Sequence, residues 1–306
     1  YCRLLRSFGQ GKTFFPTLPA ETSRGCWWRS TKKEGGKRGC TFCNLNLQWT
    51  GYRSKSPGRA AAEIDKLTSR YQTLSVALAD NLIPRRGSEE IFNRIGSLGK
   101  DLALFVELRP TTSPDLLRTL KYAGVGEVQI GIESLSSRLL KKLNKGTSAI
   151  QNLETMKHCE ALGIVQTSNL ILYFPGSDQE DVRQTLRALD FAAPFRPLKY
   201  VHFWLGVGSR VYRNPRQFGL QAVCNHPRYR ALFPAEVIRS LRLLVQSYRG
   251  DRKVQQTLWE PVKEKVRQWK ADYAELKRSD KGPILGYRDG REFLIIRQRR
   301  VAKEPI

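Results

Sequence analysis

The sequence predicts an α/β fold, a partial (β/α)6 barrel of the TIM-like kind, over residues 21–215. Two observations support this prediction. Short apolar runs alternate with helix-like segments six times, counting the unit that leads into a cysteine-rich loop, and this alternation is typical of a parallel sheet with right-handed crossovers. Polar residues follow the C-terminal ends of the apolar runs, where parallel barrels gather their functional side chains.

Each element has its own local signal. The strands after the cysteine-rich loop are predicted at 74–79, 102–108, 127–132, 165–173 and 200–205. The helices are predicted at 88–96, 112–122, 136–143, 148–162 and 178–191. Ser88 and Ser113 are expected as N-caps, and Pro114 as the first helical residue after Ser113, because these residue types satisfy or lack the first amides. Gly124 and Gly163 are expected to end their helices.

The pattern changes after residue 215, so residues 216–306 are predicted to form a helical and hairpin extension. Amphipathic helices are expected at 235–248 and 262–276. A hairpin is expected from strands 284–287 and 292–297 across Asp289 and Gly290. Trp259, Trp269 and Tyr273 lie near helical spacing and are expected to pack in a core. Residues 1–20 are predicted to be a linker from an upstream domain, since the chain opens on Tyr1.

The chain is strongly basic, with 53 Lys and Arg against 28 Asp and Glu in 306 residues and a net charge of +25. Such a charge favours polyanions, but the basic residues are spread along the whole chain, so a general basic bias on solvated faces is the preferred interpretation. No apolar run approaches the roughly 20 residues that cross a bilayer, and no signal peptide is evident. Six cysteines in a chain of this length do not suggest a disulfide scaffold, and a reducing cytoplasm fits better.

Three cysteines, Cys26, Cys40 and Cys43, lie in one predicted loop. A cubane iron–sulfur cluster normally takes four thiolates, so three leave one iron open to an outside ligand. A zinc site would need a fourth ligand at short spacing, and a redox Cys-x-x-Cys pair would open a helix; both alternatives remain. The other three, Cys2, Cys159 and Cys224, are expected to be inert thiols.

Several polar residues stand at predicted strand ends: Asp80 after the second strand, Glu107 and Arg109 at the third, Glu133 and Ser134 after the fourth, and Asn169 within the fifth. A glycine at such an end, here Gly131, lets a ligand approach the backbone, and a carboxylate beyond it can accept hydrogen bonds from ribose hydroxyls. Each signal alone is also typical of a cap for the next helix.

The ordered motifs resemble those of the radical S-adenosylmethionine (SAM) enzymes that mature ribosomally made peptides. They are Glu-Thr-Ser-Arg-Gly-Cys-Trp-Trp at 21–28, Cys-Thr-Phe-Cys-Asn-Leu-Asn at 40–46, Arg-Ser-Lys-Ser-Pro at 53–57, Asp-Asn at 80–81, Gly-Ile-Glu-Ser at 131–134, Leu-Asn-Lys-Gly-Thr at 143–147, Phe-Pro-Gly at 174–176, Pro-Arg-Gln-Phe-Gly-Leu at 215–220 and Tyr-Arg-Asp-Gly at 287–290. The chain departs from the family pattern in the thirteen residues between Cys26 and Cys40, with a basic, Gly-rich insert at 31–39, and in Arg29, Gly39 and Asn44.

The resemblance implies a radical SAM barrel with a [4Fe–4S] cluster on Cys26, Cys40 and Cys43, and SAM cleaved to a 5′-deoxyadenosyl radical. Phe42 is expected beside the adenine, and the ribose and methionine portions are expected on Glu133, Ser134 and Asn169, with Asp80 and Glu107 as weaker candidates. The resemblance does not identify a catalytic residue. Relatives often carry cobalamin on an upstream domain and methylate peptide carbon, so we expect this segment alone to hold cobalamin weakly. The implied partners are a precursor peptide and an external electron donor.

Two other functions remain open from the sequence. The net charge of +25 would suit a radical SAM enzyme that acts on RNA. The long spacing between Cys26 and Cys40 would suit a binding module that has lost catalysis.

Overall fold

The computed structural model describes residues 16–28, 39–45 and 51–278, and the backbone of 285–289 and 294–298. Most of the predicted linker and most of the basic insert lie outside the described residues. The strands are β1 (Leu18–Ala20), β2 (Ser23–Arg24), β3 (Arg53–Ser54), β4 (Ser75–Leu78), β5 (Ala103–Leu108), β6 (Val125–Ile130), β7 (Val165–Thr167), β8 (Asn169–Leu172), β9 (Lys199–His202), β10 (Leu205–Gly206), β11 (Gln221–Asn225), β12 (Val245–Arg249), β13 (Leu285–Asp289) and β14 (Leu294–Gln298).

The α-helices of the described residues are α1 (Pro57–Tyr71), α2 (Ser88–Gly96), α3 (Pro114–Tyr122), α4 (Ser137–Lys142), α5 (Ala149–Ala161), α6 (Gln179–Ala192), α7 (Arg210–Arg213), α8 (Ala235–Ser240), α9 (Arg252–Leu258) and α10 (Glu260–Arg278). Short 3-10 helices span Pro215–Phe218 and Pro227–Ala231. No helix in the described ranges is long and apolar enough to cross a bilayer.

The central sheet is parallel and confirms the predicted partial barrel. Five strands pair in the order β1-β4-β5-β6-β7, and β8 pairs in parallel with β9. The two groups are joined at Glu133, whose amide donates to the Asn169 carbonyl (3.0 Å) and whose carbonyl accepts from the Ile171 amide (2.8 Å). Because β7 and β8 are consecutive along the chain, the barrel wall has six parallel strand positions, as the alternation predicts.

The helix signals were mostly correct. Ser113 caps α3 by accepting from the Leu116 amide (3.2 Å), and Pro114 is its first residue. Ser88 is not the N-cap of α2: Gly87 takes that place, and the Ser88 hydroxyl donates instead to the Pro84 carbonyl. A glycine suits this cap because its φ is +79°, in the left-handed region.

The long helix α10 packs against α6 on the outside of the barrel. Trp259 and Trp269 are buried, as predicted, and the Trp269 indole N–H donates to the Phe195 carbonyl (3.1 Å). Tyr273 is half-buried and donates to the Glu160 carboxylate (3.0 Å). These aromatic side chains therefore fix α10 to the barrel.

The predicted helix at 235–248 is wrong. Only Ala235–Ser240 is helical, and Val245–Arg249 is the middle strand of an antiparallel sheet in the order β10-β12-β11. The segment from Val245 alternates intermediate and buried side chains with the period of a strand, and tertiary pairing on both sides overrides the helical pattern. The backbone hairpin of β13 and β14 confirms the predicted C-terminal strand pair, shifted by one or two residues.

Candidate functional site

The base of the cysteine-rich loop is held by a short ribbon and one buried carboxylate. Strand β2 pairs with β3, so the two ends of the loop are hydrogen-bonded to each other. Asp80 accepts from the Thr22 amide (2.7 Å), the Thr22 hydroxyl (2.5 Å) and the Ser23 hydroxyl (2.6 Å). Burial raises the pKa of Asp80, and these hydrogen bonds oppose that rise. Its oxygens face the loop base, which makes Asp80 an anchor of the loop.

Two adjacent tryptophans fix the loop to different parts of the barrel rim. The Trp27 indole N–H donates to the Ile83 carbonyl (3.1 Å), and that of Trp28 donates to the Asn144 carbonyl (3.0 Å). The Trp28 ring lies against Gly146, where any Cβ would collide with it, and Gly146 has a φ of +68°. The double tryptophan therefore positions the residues next to Cys26.

The second part of the loop is held by backbone hydrogen bonds. The Thr41 amide donates to the Leu143 carbonyl (2.9 Å), and the Thr41 carbonyl accepts from the Val211 amide (3.1 Å). A tight turn follows, in which the Cys43 amide donates to the Cys40 carbonyl (3.3 Å). Both thiols of the Cys-x-x-Cys pair are thus carried by a turn with partners on two sides.

The three predicted ligand thiols lie within electrostatic reach of one another. Burial raises the pKa of Cys43 to about 11, and the charges of Cys40 and Cys26 contribute to the rise. Burial also raises the pKa of Cys40, to which Cys26 contributes as well. Buried thiols of this kind become thiolates only when positive charge or metal compensates for the lost hydration.

Two buried cations lie beside Cys40. The Arg109 guanidinium lies beside Cys40, donates a hydrogen bond to the Lys145 carbonyl and stacks over the Trp28 ring at 4.3 Å from the centroid. Burial lowers the pKa of Arg109, and the nearby Cys40 and Cys26 partly offset this. The Lys145 ammonium lies 3.2 Å from Glu133; burial alone lowers its pKa, but Glu133 and Cys40 raise it overall. Both cations favour a negatively charged occupant next to the loop.

The remaining predicted residues occupy different positions. Glu107 is partly buried, and burial, followed by the charges of Asp80 and Glu133, raises its pKa to about 7. Glu133 has a φ of +62°, unusual for a residue with a side chain and typical of functional sites. These observations place Glu107 and Glu133 near one another at the barrel rim.

Phe42, Asn169 and Ser134 differ in how accessible they are. Phe42 is half-buried, with its ring 6.0 Å from the Lys145 ammonium. Asn169 is half-buried at the start of β8, where its carbonyl accepts from Glu133. Ser134 is fully buried, and its hydroxyl accepts from the Ser136 amide (3.0 Å), so in this structure it supports the entry into α4.

Sequence reasoning missed three contributors to this site. Lys145 follows a helix end as part of a motif, but nothing in its spacing predicts a buried ion pair with Glu133. Thr22 and Ser23 belong to the family motif, which does not predict their hydrogen bonds to Asp80, although a Thr-Ser pair before a loop can signal side-chain capping. Arg109 lies at a predicted strand end, but its stacking on Trp28 depends on tertiary structure that the sequence does not show.

Comparison with known proteins identifies the family. The profile of the radical SAM superfamily matches residues 23–189, more than half of the chain. This chain belongs to the radical SAM superfamily. Enzymes of this superfamily use a [4Fe–4S] cluster and SAM.

The relatives of this chain differ in the reactions that their names describe. An uncharacterized methyltransferase of Pyrococcus horikoshii is 25% identical over 220 residues, covering 70% of this chain and 45% of the relative. A tRNA-2-methylthio-N(6)-dimethylallyladenosine synthase of Clostridium botulinum is 23% identical over 160 residues, covering 48% and 36%. The chain thus spans less than half the length of these curated relatives.

A solved structure shares the fold. The radical SAM methyltransferase TsrM of Kitasatospora setae, with tryptophan and a SAM analogue bound, has a TM-score of 0.60 over 83% of this chain and 51% of its own. Its sequence identity is 16%, so the likeness concerns the fold.

The residues present fit the radical SAM cluster. Among the described residues, no three His, Cys, Asp or Glu side chains converge closely enough for one ion. Cluster thiolates bind different irons, so they need not converge on one centre. The thiols of Cys26, Cys40 and Cys43 lie within electrostatic reach of one another. The buried cations Arg109 and Lys145 border them, and this arrangement suits a negatively charged cluster.

Proposed function

We propose that this chain is the radical SAM core of an enzyme that modifies a ribosomally synthesised peptide, with methyl transfer to carbon as its reaction. The match to a methyltransferase over 70% of the chain carries the proposal. The ordered motifs from residue 21 to residue 290 support it, because they resemble those of peptide-maturing radical SAM enzymes. The precursor peptide and an external electron donor are the proposed partners.

The residues of the site have distinct proposed roles. Cys26, Cys40 and Cys43 would hold the cluster, which with bound SAM supplies one-electron cleavage of the sulfonium. Arg109 and Lys145 hold positive charge next to the thiolates, which favours their deprotonation. Asp80 keeps the loop base in place.

SAM itself is positively charged, and the rim offers carboxylates to receive it. Glu133 and Glu107 would bind its cationic group and ribose hydroxyls, with Asn169 beside them, while the Phe42 ring would pack by the adenine. Ser134 would act through the backbone it supports. Radical cleavage leaves the methyl group of SAM on methionine, so the methyl group transferred to carbon would come from a second SAM by way of cobalamin, to which no described residue is assigned.

The cluster assignment is tested by anaerobic reconstitution of the 306-residue protein. We expect about four irons per chain and an electron paramagnetic resonance signal that SAM alters. The Cys26→Ala, Cys40→Ala and Cys43→Ala triple variant should lose both. Cys224→Ala, which removes an exposed thiol, is the matched control and should keep both. Retention of the SAM-altered signal by the triple variant would refute the assignment.

The SAM assignment is tested at Glu133. Removing one partner of a buried polar contact typically costs about 1–3 kcal/mol, so Glu133→Ala should weaken SAM binding by roughly tenfold or more. The measurement is SAM affinity of the reconstituted protein, followed by 5′-deoxyadenosine formation under reducing conditions. Unchanged affinity and cleavage would remove Glu133 from the site.

A second candidate function is modification of RNA. The similarity to the Clostridium botulinum tRNA synthase and the net charge of +25 favour it. The deciding experiment incubates reconstituted protein, SAM, reductant and added methylcobalamin with candidate precursor peptides or with bulk tRNA, and reads both by mass spectrometry. Mass gain on a peptide supports the first candidate, and a modified nucleoside supports the second.

A further inference from the structure

The segment 226–244 forms an excursion from the antiparallel sheet, between β11 and β12, which we call the arginine tip. It contains the second 3-10 helix and α8. None of its residues is buried, although it carries several large apolar side chains, and four of these are strongly exposed: Leu232, Phe233, Leu241 and Leu244. The arginine tip therefore presents apolar surface that nothing in the described part of the chain covers.

The arginine tip is ordered by polar contacts instead of a core. The Asn225 side chain donates to the carbonyls of Ile238 and Leu241 (2.7 Å each) and accepts from the Leu243 amide (2.9 Å). The Tyr229 hydroxyl accepts from the Val245 amide (3.0 Å). These contacts give the tip a defined shape while leaving its apolar side chains free to pack against a partner.

The surface around the tip is positively charged, and its basic side chains are arginines without any lysine. Eight arginines lie between residues 210 and 249, against the single acid Glu236, and no lysine occurs from 200 to 252. They are Arg210, Arg213, Arg216, Arg228, Arg230, Arg239, Arg242 and Arg249. Within the described residues, none of the eight forms an ion pair. The guanidinium fork matches carboxylates in geometry, so this surface is complementary to acidic groups.

A strand edge lies next to the tip. β11 is an outer strand of the sheet β10-β12-β11, and its residues Gln221, Ala222 and Cys224 are exposed. Arg249 of β12 is opposite Gln221, so a positive charge borders this edge. Extended peptides add to such edges through main-chain hydrogen bonds, with side chains in neighbouring pockets supplying specificity.

We propose that the arginine tip and the β11 edge bind an extended, acidic segment of a polypeptide that also carries aliphatic side chains. The strongly exposed apolar side chains of the tip are aliphatic except for Phe233, and this favours a peptide over single-stranded RNA, which is held mainly by stacking of successive bases on several aromatic rings. This inference rests on the proposed function, since the bound segment would belong to the peptide substrate. It assigns that substrate a negative charge and a docking surface that is separate from the cysteine-rich loop.

The test uses the reconstituted 306-residue protein and three fluorescein-labelled probes, read by anisotropy. The probes are a peptide of about twelve alternating glutamates and leucines, its glutamine counterpart, and an oligouridine of similar length. We expect the acidic peptide to bind most tightly and to weaken as salt rises. Equal binding of the glutamine peptide, or tighter binding of the oligouridine that depends on the tip, would overturn the proposal.

Matched variants locate the binding surface. Changing Arg228, Arg230, Arg239 and Arg242 to Gln should weaken the acidic peptide by about tenfold, since exposed pairs contribute modestly but add up. The control changes four exposed cations of the barrel helices to Gln, Lys66, Lys141, Lys157 and Arg187, and should leave affinity within about twofold. An equal loss in both variants would show a general charge effect and reject the tip.

The outcomes for the two proposals are read separately. The same preparations are assayed for 5′-deoxyadenosine without peptide, which the tip variant should form at the wild-type rate. If the wild-type protein cleaves SAM but does not bind the acidic peptide, only the proposal for the arginine tip is contradicted. If the wild-type protein binds the acidic peptide but does not cleave SAM, only the proposed function is contradicted.

Discussion

The barrel and the arginine tip differ in whether their positively charged side chains have acidic partners. On the barrel helices, many cations have an acidic partner nearby, as Arg94 has Glu90 and Arg183 has Glu180. Beside the cysteine-rich loop, even the buried Lys145 is paired with Glu133. The tip carries four arginines and one glutamate with no ion pair among its described residues.

This difference separates two uses of the same net charge. The two cations beside the cysteine-rich loop, Arg109 and Lys145, are buried and hydrogen-bonded, so they can set the electrostatic potential of one small site. Exposed arginines on an uncovered surface contribute little to stability, and they remain available to a partner. Total charge alone therefore says little about function, while its distribution does.

The largest effect on stability is expected at Asp80, which anchors the base of the cysteine-rich loop. Asp80→Ala leaves the Thr22 and Ser23 donors without their acceptor in a buried place, and we expect a loss of about 3 kcal/mol in unfolding free energy. Urea unfolding of the cluster-free protein measures it. Asp115→Ala, which removes a largely exposed carboxylate from α3, should change stability by less than about 0.5 kcal/mol. Equal effects would mean that the loop base is not an anchor.

Gly146 tests the contact with Trp28. Gly146→Ala adds a Cβ that meets the Trp28 ring, whereas Gly163→Ala adds one in open space at a similar φ of +61°. Both variants incur the left-handed backbone cost of about 1–2 kcal/mol, but only the first should also displace the loop. We expect Gly146→Ala to be less stable than Gly163→Ala by about 2 kcal/mol and to retain less iron on reconstitution. Indistinguishable variants would show that Trp28 adapts without consequence.

Glu107 predicts a dependence of stability on pH. Its pKa of about 7 exceeds the ordinary 4.5, so the folded protein retains a proton that the unfolded chain releases between these values. Stability should therefore fall as pH rises from about 4.5 to 7 and then level off. Glu107→Gln should remove this fall, so its stability advantage over the wild type should increase with pH. Urea midpoints of the cluster-free proteins measured across this range would contradict the assignment if they ran in parallel.

The smallest effect is expected at the tip. Changing Arg228, Arg230, Arg239 and Arg242 to Gln removes exposed charges that have no described ion pair, so unfolding free energy should change by less than about 1 kcal/mol. The measurement is the urea midpoint of the same variant used for peptide binding. A large loss of stability would show that these arginines support the fold.

Most of the barrel could be predicted because its signals are local. Alternation of apolar runs with capped helices located β5, α3 and α6 to within two residues. Ser88 failed as a cap because the preceding Gly87 can adopt a left-handed φ that few other residues tolerate. The helix α1 was not predicted, although Pro57 is its first residue and is typical of a helix start.

The predicted helix at 235–248 failed for a different reason. Strand β12 is defined by partners on both sides, β10 and β11, which lie far from it in sequence. A segmental pattern cannot show such pairing. The same limit applies to the site: the spacing of cysteines indicates a cluster, whereas the placement of Lys145 beside Glu133 depends on how the barrel closes.

The anchors of the cysteine-rich loop have a consequence for assembly of the enzyme. Asp80, Trp27 and Trp28 hold the loop base and the first cysteine through hydrogen bonds that involve no metal. Insertion of iron and sulfide should then be a local event, in contrast to small zinc domains that fold only around their metal. The far-ultraviolet circular dichroism of the protein should be nearly the same before and after reconstitution, and delivery of a preassembled cluster should need no chaperoned unfolding.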